Sequence, residues 1–355
     1  MTNRHDPPVR AIARHRVTIR DVADAAGVSV GTVSKALNGG GQLRQATRAA
    51  VQRAALALRF RPNELARSLS GPRRFTVGLV STDRHGRFSI PVLEGIEDTL
   101  DAARISVFLC NAAGDPAREH EHVQSLLAKR VDGIIVTGKR ARPRAPLDLG
   151  GEAVPVVYAF ARVAGAEFPC LLPDDFGGGR AAGEHLLRLG RSRIAHITGP
   201  ARTEAVQHRL AGLQAAHVAY GLELRPELVL ADSWSETWGH AAVGQLASIR
   251  ASLDAIFCGS DQIARGVVDA LRERGVRVPE DIAVVGFDNW EIIATASRPP
   301  LTTVDMNLPA LGRQAGLELL AMIEGRGRPG VRRLPCSIVV RASCGGAPEE
   351  PTDLP

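Results

Sequence analysis

The chemistry of this chain starts from six neighbours, Ser29, Val30, Gly31, Thr32, Ser34 and Lys35. Three hydroxyls, an ammonium and a small apolar surface suit contacts to DNA, not bond-breaking. Hydroxyls at this spacing donate to phosphates and fix register. Lys35 can reach guanine O6 and N7 or a phosphate, and Val30 a thymine methyl, while Gly31 offers no side chain. The string TIRDVADAAGVSVGTVSKALN, from Thr18 to Asn38, must position them. Its ends, Thr18 and Asn38, are assigned to the same DNA-binding face. Ile19, Val22, Ala23 and Ala26 fall at i, i+3, i+4 and i+7 and make one helical face. Gly27 breaks that helix. Ser29 is placed to cap a second one, with Val30, Val33 and Leu37 as its buried face. Val30 is thus claimed by both the buried and the outward set. Two short helices around a glycine turn form a helix-turn-helix, whose second helix can enter a major groove.

Charge and composition agree. Residues 1–75 hold 14 Lys and Arg against 4 Asp and Glu, a balance of +10, and the remaining 280 hold 30 against 34, or −4. A basic head on a mildly acidic body is the footprint of a nucleic-acid-binding module. A chain of 355 residues suggests more than one domain. No apolar run approaches the roughly 18 residues that span a bilayer. The first sixteen residues are charged and proline-broken, with no apolar core of a signal peptide. Five scattered cysteines without CxxC spacing read as buried thiols of a cytoplasmic protein and give no metal site.

After the second helix, Val51, Ala54, Ala55 and Leu58 mark a third. In RPNELARSL, Asn63 can cap a short helix with Leu65 and Leu69 one turn apart, stopped by Gly71-Pro72. Such a segment is a passive linker or a helix that forms only against a partner. From Phe75 onward, strand-like runs alternate with helical patterns: 76–81, 106–111, 133–137, 154–160, 193–199, 255–259 and 282–287. That alternation implies parallel sheets covered on both faces, and seven units fit two doubly wound subdomains. A ligand then sits at the carboxyl ends of the strands, in a cleft between the sheets. No GxGxxG after the first strand, P-loop, GxSxG or metal-spaced His/Cys set points to an enzyme or a cofactor.

The helix-turn-helix string, RPNELARSL and VPEDIAVVGFDN…PPLTTV together resemble the lactose-repressor (LacI) family. LLAKRVDGIIV, DDFGGGRAAGEHLLRLGRSRIAHITGP and SDQIARGVVDALRERG follow the family pattern in order, and coverage runs from about Val17 to Ser343. The resemblance implies a homodimer that binds a pseudo-palindromic operator and takes a small, sugar-like effector in its cleft. It implies a disordered arm (1–16), a helix-turn-helix domain (17–61), a hinge helix and linker (62–74), a bilobal periplasmic-binding-protein-like core (75–344) and a disordered tail (345–355). Within the core, an N-subdomain at about 75–171 and 305–331 faces a C-subdomain at about 172–304 and 332–344. Asn63, Ala66, Arg67 and Leu69 match the operator-binding hinge, with Leu69 as the minor-groove wedge and Ala66 allowing two hinges to approach. Arg209, Asp288, Trp234 and Asp261 match effector contacts, faced by Asp83, Phe88 and Phe160. For each acid the bland reading is a helix cap, for Trp234 a core position, and for Arg209 an acidic partner. The chain departs from the pattern at Gly86-Arg87-Phe88-Ser89, where Asn-Pro-Phe-Phe is usual, and at Ser260, where asparagine is usual. The first change brings a charge to the pocket wall, implying a charged effector or one unlike a common hexose. Arg44 and Arg59 replace a cap serine and a terminal glycine of the third helix. Rival readings are control by a co-repressor or partner protein, or a transporter's solute-binding protein.

Overall fold

A computed structural model describes residues 17–37, 43–58, 60, 76–84, 86–102, 105–138, 143–165, 167–246 and 253–347. The chain divides into two units at Arg74/Phe75, each taken by itself.

Among the described residues, the first unit has three helices, α1 (Ile19–Ala26), α2 (Val30–Leu37) and α3 (Gln45–Ala57). Thr18 and Asp21 close a capping box on α1, satisfying two orphan N–H groups. Gly27 ends α1 at φ 64°, a left-handed position that glycine enters without a Cβ penalty. Ser29 Oγ accepts from Thr32 N at 3.1 Å and starts α2. Val22, Ala23, Val33, Ala36, Val51 and Ala55 form the buried core. The sequence spacing put Val30 in that core, but it is 40 % exposed and Ala36 is buried instead. The buried arc of α2 is centred on Val33, which carries Ala36 inward and leaves Val30 at the rim. Arg44 precedes α3 and makes no side-chain cap bond. Arg59 lies outside the described residues.

The second unit is two α/β lobes. The first lobe holds β1 (Thr76–Ser81), α4 (Ser89–Ala102), β2 (Ser106–Asn111), α5 (Pro116–Ala128), β3 (Gly133–Thr137), β4 (Val156–Ala159) and β5 (Pro169–Pro173). The chain crosses to the second lobe for α6 (Asp175–Arg188), β6 (Ile194–Thr198), α7 (Glu204–Ala219) and β7 (Val229–Ala231). There follow α8 (Glu236–Gln245), β8 (Ala255–Cys258), α9 (Asp261–Glu273), β9 (Ala283–Asp288), α10 (Glu291–Ala294) and β10 (Thr302–Asp305). It returns for α11 (Leu308–Ile323) and β11 (Gly330–Leu334), then crosses a third time to β12 (Ser337–Val339).

The first sheet runs β11-β5-β4-β3-β1-β2 with every neighbour parallel. The second runs β12-β10-β9-β8-β6-β7, parallel except where β12 lies against β10. Alternate residues serve opposite faces: Leu79 and Ile135 join one core, and Val80, Ile134 and Val136 another. The edge strand β2 breaks the expectation of sheets covered on both faces, because Phe108 and Leu109 are 45 % and 50 % exposed. β5 continues to Pro173 and β11 to Leu334 within the first sheet. The lobe crossings therefore fall at 173–175 and 334–337, later than the sequence-based 172 and 332.

Candidate functional site

On the head, α2 presents its outward residues in one short arc. Val30, Gly31 and Lys35 are exposed, and Thr32 and Ser34 half-buried. Thr18 and Ser29 are exposed too, but their hydroxyls are engaged in caps, Thr18 Oγ1 on Asp21 and Ser29 Oγ within 2.9 Å of Thr32 Oγ1. These caps satisfy the first-turn amides at the starts of α1 and α2. Asn38, Asn63, Ala66, Arg67 and Leu69 lie outside the described residues.

In the core, the expected cleft residues come from the carboxyl ends of strands in both lobes, except Arg209, which α7 carries. Phe88, after β1, stacks on Phe160, after β4, with ring centroids 4.8 Å apart. Asp83 stands behind them, accepting from Phe88 N at 2.7 Å and from Ser89 N and Oγ. Asp83 thus takes the helix-cap role, the bland alternative for it, at the start of α4.

Opposite, Asp288 ends β9 at φ 113°, in the left-handed region. Asn289 locks that turn, donating to Thr303 Oγ1 and Asp305 and accepting from Arg341. Asp261 is fully buried; its carboxylate accepts from Thr303 Oγ1 at 2.6 Å and Trp290 N at 2.7 Å. Burial, with Asp288 beside it, pushes the Asp261 carboxyl up to about 7. Ser260 caps α9. Ser260 and Asp261 thus each bond neighbouring groups of the second lobe at the carboxyl ends of its strands.

Arg209, 3 % exposed, lies between these groups. Its Nε and Nη2 each meet Asp175 Oδ1 at 2.9 Å, its Nη1 donates to Gly259 O at 2.5 Å, and Asp288 Oδ1 stands 3.9 Å away. Its guanidinium sits 3.5 Å over the Phe287 ring, with Trp234 at 5.8 Å. The resemblance implied a hydroxyl clamp; the acidic partner that was the bland alternative is present in Asp175. Below it, burial pulls His196 down to about 4, so the ring is neutral beside Arg209.

Two cross-lobe links close the cleft. Arg87, in the loop after β1, donates to Gln262 Oε1 at 2.7 Å and to Asp288. At the outer edge, Glu204 of α7 meets Arg162 at 2.6 Å and Arg333 at 3.4 Å. Gln262, Asp175, Phe287 and Trp290 were not singled out by sequence, and Arg87 only as a departure. The signal for them was weak, because each acts through a partner remote in the chain. Among the described residues, no group of three or more His, Cys, Asp or Glu could hold a metal, and no helix is long and apolar enough to cross a membrane.

Comparison with known proteins follows the same two units. Residues 18–63 match the model described as bacterial regulatory proteins, lacI family, and residues 184–344 the periplasmic binding protein-like domain. The HTH-type transcriptional regulator CelR of Thermobifida fusca is 35 % identical over 339 residues, covering 93 % of this chain and 99 % of its own. A Lac repressor dimer bound to operator and the anti-inducer ONPF aligns with TM-score 0.78 at 28 % identity, over 93 % of this chain and 99 % of that one. A CelR–cellobiose complex aligns with TM-score 0.64 at 33 % identity, over 92 % and 100 %.

Proposed function

Because the chain belongs to the LacI family of bacterial regulatory proteins, we propose that it is a ligand-responsive transcriptional repressor. It binds a pseudo-palindromic operator as a homodimer, in the cytoplasm, and a small sugar-like effector releases it. The observation that carries this reading is α2, which buries Val33 and Ala36 and turns Val30, Gly31 and Lys35 outward on a head of charge +10. Operator-bound Lac repressor and cellobiose-bound CelR, among its structural relatives, support the two ligand classes.

In this reading Ser29, Thr32 and Ser34 set register on phosphates, and Lys35 and Val30 meet bases. Asn63, Ala66, Arg67 and Leu69 form the hinge, with Leu69 wedged into a flexible minor-groove step that bends at least cost. The effector binds between Phe88/Phe160 on one lobe and Arg209, Trp234 and Asp288 on the other, with Asp83, Ser260 and Asp261 holding those walls. Effector and operator are linked through closure of the lobes, so each shifts the affinity of the other by the same factor. The chain acts by binding, with no catalytic group.

Selection of bound duplexes from a random pool, using the full chain, tests the reading. An inverted repeat is expected, with affinity for it falling about a thousandfold between 50 and 200 mM salt if some six phosphates are neutralised. Absence of any enriched repeat overturns it.

A further inference from the structure

The guanidinium of Arg87 lies where a ligand of Asp288 would have to lie. Its Nη1 donates to Gln262 and its Nη2 to Asp288, which ties the first lobe to the second. Its carbon stands 4.8 Å from the centre of the Phe88 ring and 4.4 Å from that of Trp290, a cation held against aromatic faces from both lobes. Its Nε–H is buried and has no hydrogen-bond partner. Asp288 meanwhile serves two cations, since Arg209 Nη1 is 3.9 Å from its other oxygen.

We propose that Arg87 is a tethered occupant of the effector seat and that it sets the effector's chemical class: a polyhydroxylated anion, bearing a carboxylate or a phosphate. This rests on reading the cleft as the effector site. A molecule that hydrogen-bonds Asp288 Oδ2 competes with Arg87 for that oxygen. A neutral polyol supplies hydroxyl donors to Asp288 but strands the guanidinium as an uncompensated buried charge. An anion re-pairs it. The planar fork of an arginine accepts carboxylate or phosphate on two parallel N–H donors, and the idle Nε–H is one of them. Hydroxyls of the same molecule then satisfy Asp288, and the aromatic walls cover its carbon skeleton.

Titration calorimetry on the full-length protein tests this, with melting scans as the folding control. The probes are matched trios in the gluco, galacto, manno, xylo and ribo series: the free sugar, its aldonic or uronic acid, and its phosphate. At least one acid or phosphate is expected to bind wild type ten times more tightly than its own neutral sugar. Whether acid or phosphate binds better identifies the anion. Arg87→Ala should lose that preference at least tenfold while its neutral sugar holds or gains. Arg87→Lys, which keeps the charge without the fork and guards against misfolding of the alanine variant, should fall between. A neutral sugar that binds wild type as well as its acid and phosphate overturns the proposal and leaves the sugar-type reading standing. So does an anion bound equally by wild type and Arg87→Ala. Failure of every probe on all three proteins overturns the sugar-type reading itself, and this proposal with it.

Discussion

Arg209 and Asp175 meet where neither reaches solvent, and a buried pair of this kind costs most when only one member is removed. Arg209→Ala should lower stability by about 3–5 kcal/mol in urea unfolding of the core, because it removes one member of the buried pair and takes the guanidinium away from the Asp175 carboxylate. Arg209→Lys should unfold less readily yet respond poorly to effector, since the fork over Phe287 is gone. An alanine variant as stable as wild type would remove Arg209 from its structural place. Asp261 gives a second prediction, in pH. Its native carboxyl titrates at about 7 against an ordinary 3.8, so between those values the folded state holds a proton that the unfolded state has lost. Its stabilising contribution is complete below about pH 4 and lost as pH rises through 7. His196 runs the opposite way: pulled from 6.5 to about 4, it favours folding above 6.5 and loses that contribution as pH falls through 4. Between pH 8 and 6.5 Asp261 therefore acts with little opposition. On acidification across that window, the wild-type melting temperature should rise more, or fall less, than that of Asp261→Asn. Parallel slopes would refute the assignment. The positions of Arg209, Asp288, Phe88 and Phe160 were legible because each sits at a strand end or in a motif. For Asp83 and Asp261 the sequence left a helix cap and a ligand contact side by side, because a caged acid and a ligand-facing acid look alike until their partners are placed. Arg87 pairs with an aspartate 201 residues onward, beyond any local pattern.

Helices of the head were read from periodicity, and their caps from the residues before them. Arg44 marks the place where that grammar fails, since it opens α3 with no side chain bonded to the first-turn amides. Arg44→Ser should add about 1 kcal/mol to the unfolding free energy of the head, measured by denaturant titration. No gain would mean that another group already satisfies those amides. In the core, seven strands were visible as β-branched or apolar runs. The other five, β5, β7, β10, β11 and β12, were missed for separate reasons. β5 is framed by Pro169 and Pro173, β7 and β12 have three residues each, β10 is TTVD, and β11 carries two adjacent arginines on a half-buried edge. Their partners lie far away, as when β11 pairs with β5 across 161 residues of chain (Gly330 against Pro169). Helix packing left a clearer mark. At the crossing of α6 and α7, a Cβ on Gly179 would stand 2.2 Å from Arg209 O, and one on Gly212 would stand 2.1 Å from Phe176 O. The close approach at Gly179 and Gly212 is what lets α7 carry Arg209 close to Asp175.

Across the whole molecule, the two tasks of the chain are written differently along its length. The head is one uninterrupted stretch ending at Arg74. Each lobe is assembled from separate stretches, because the chain passes between them at 173–175, 305–308 and 334–337. Three such passages side by side permit the lobes to turn about one another while the strands on either side stay paired. They also have a consequence for inheritance. A single crossover near residue 74 can graft a new operator preference onto this sensor, and the sensor keeps every pairing that builds its cleft. No single crossover can exchange a lobe, since α11 and β11 would be left with a foreign sheet and Arg87 with a foreign aspartate. Address and signal therefore evolve at different tempos in this architecture: the address moves as a cassette, and the signal changes one residue at a time.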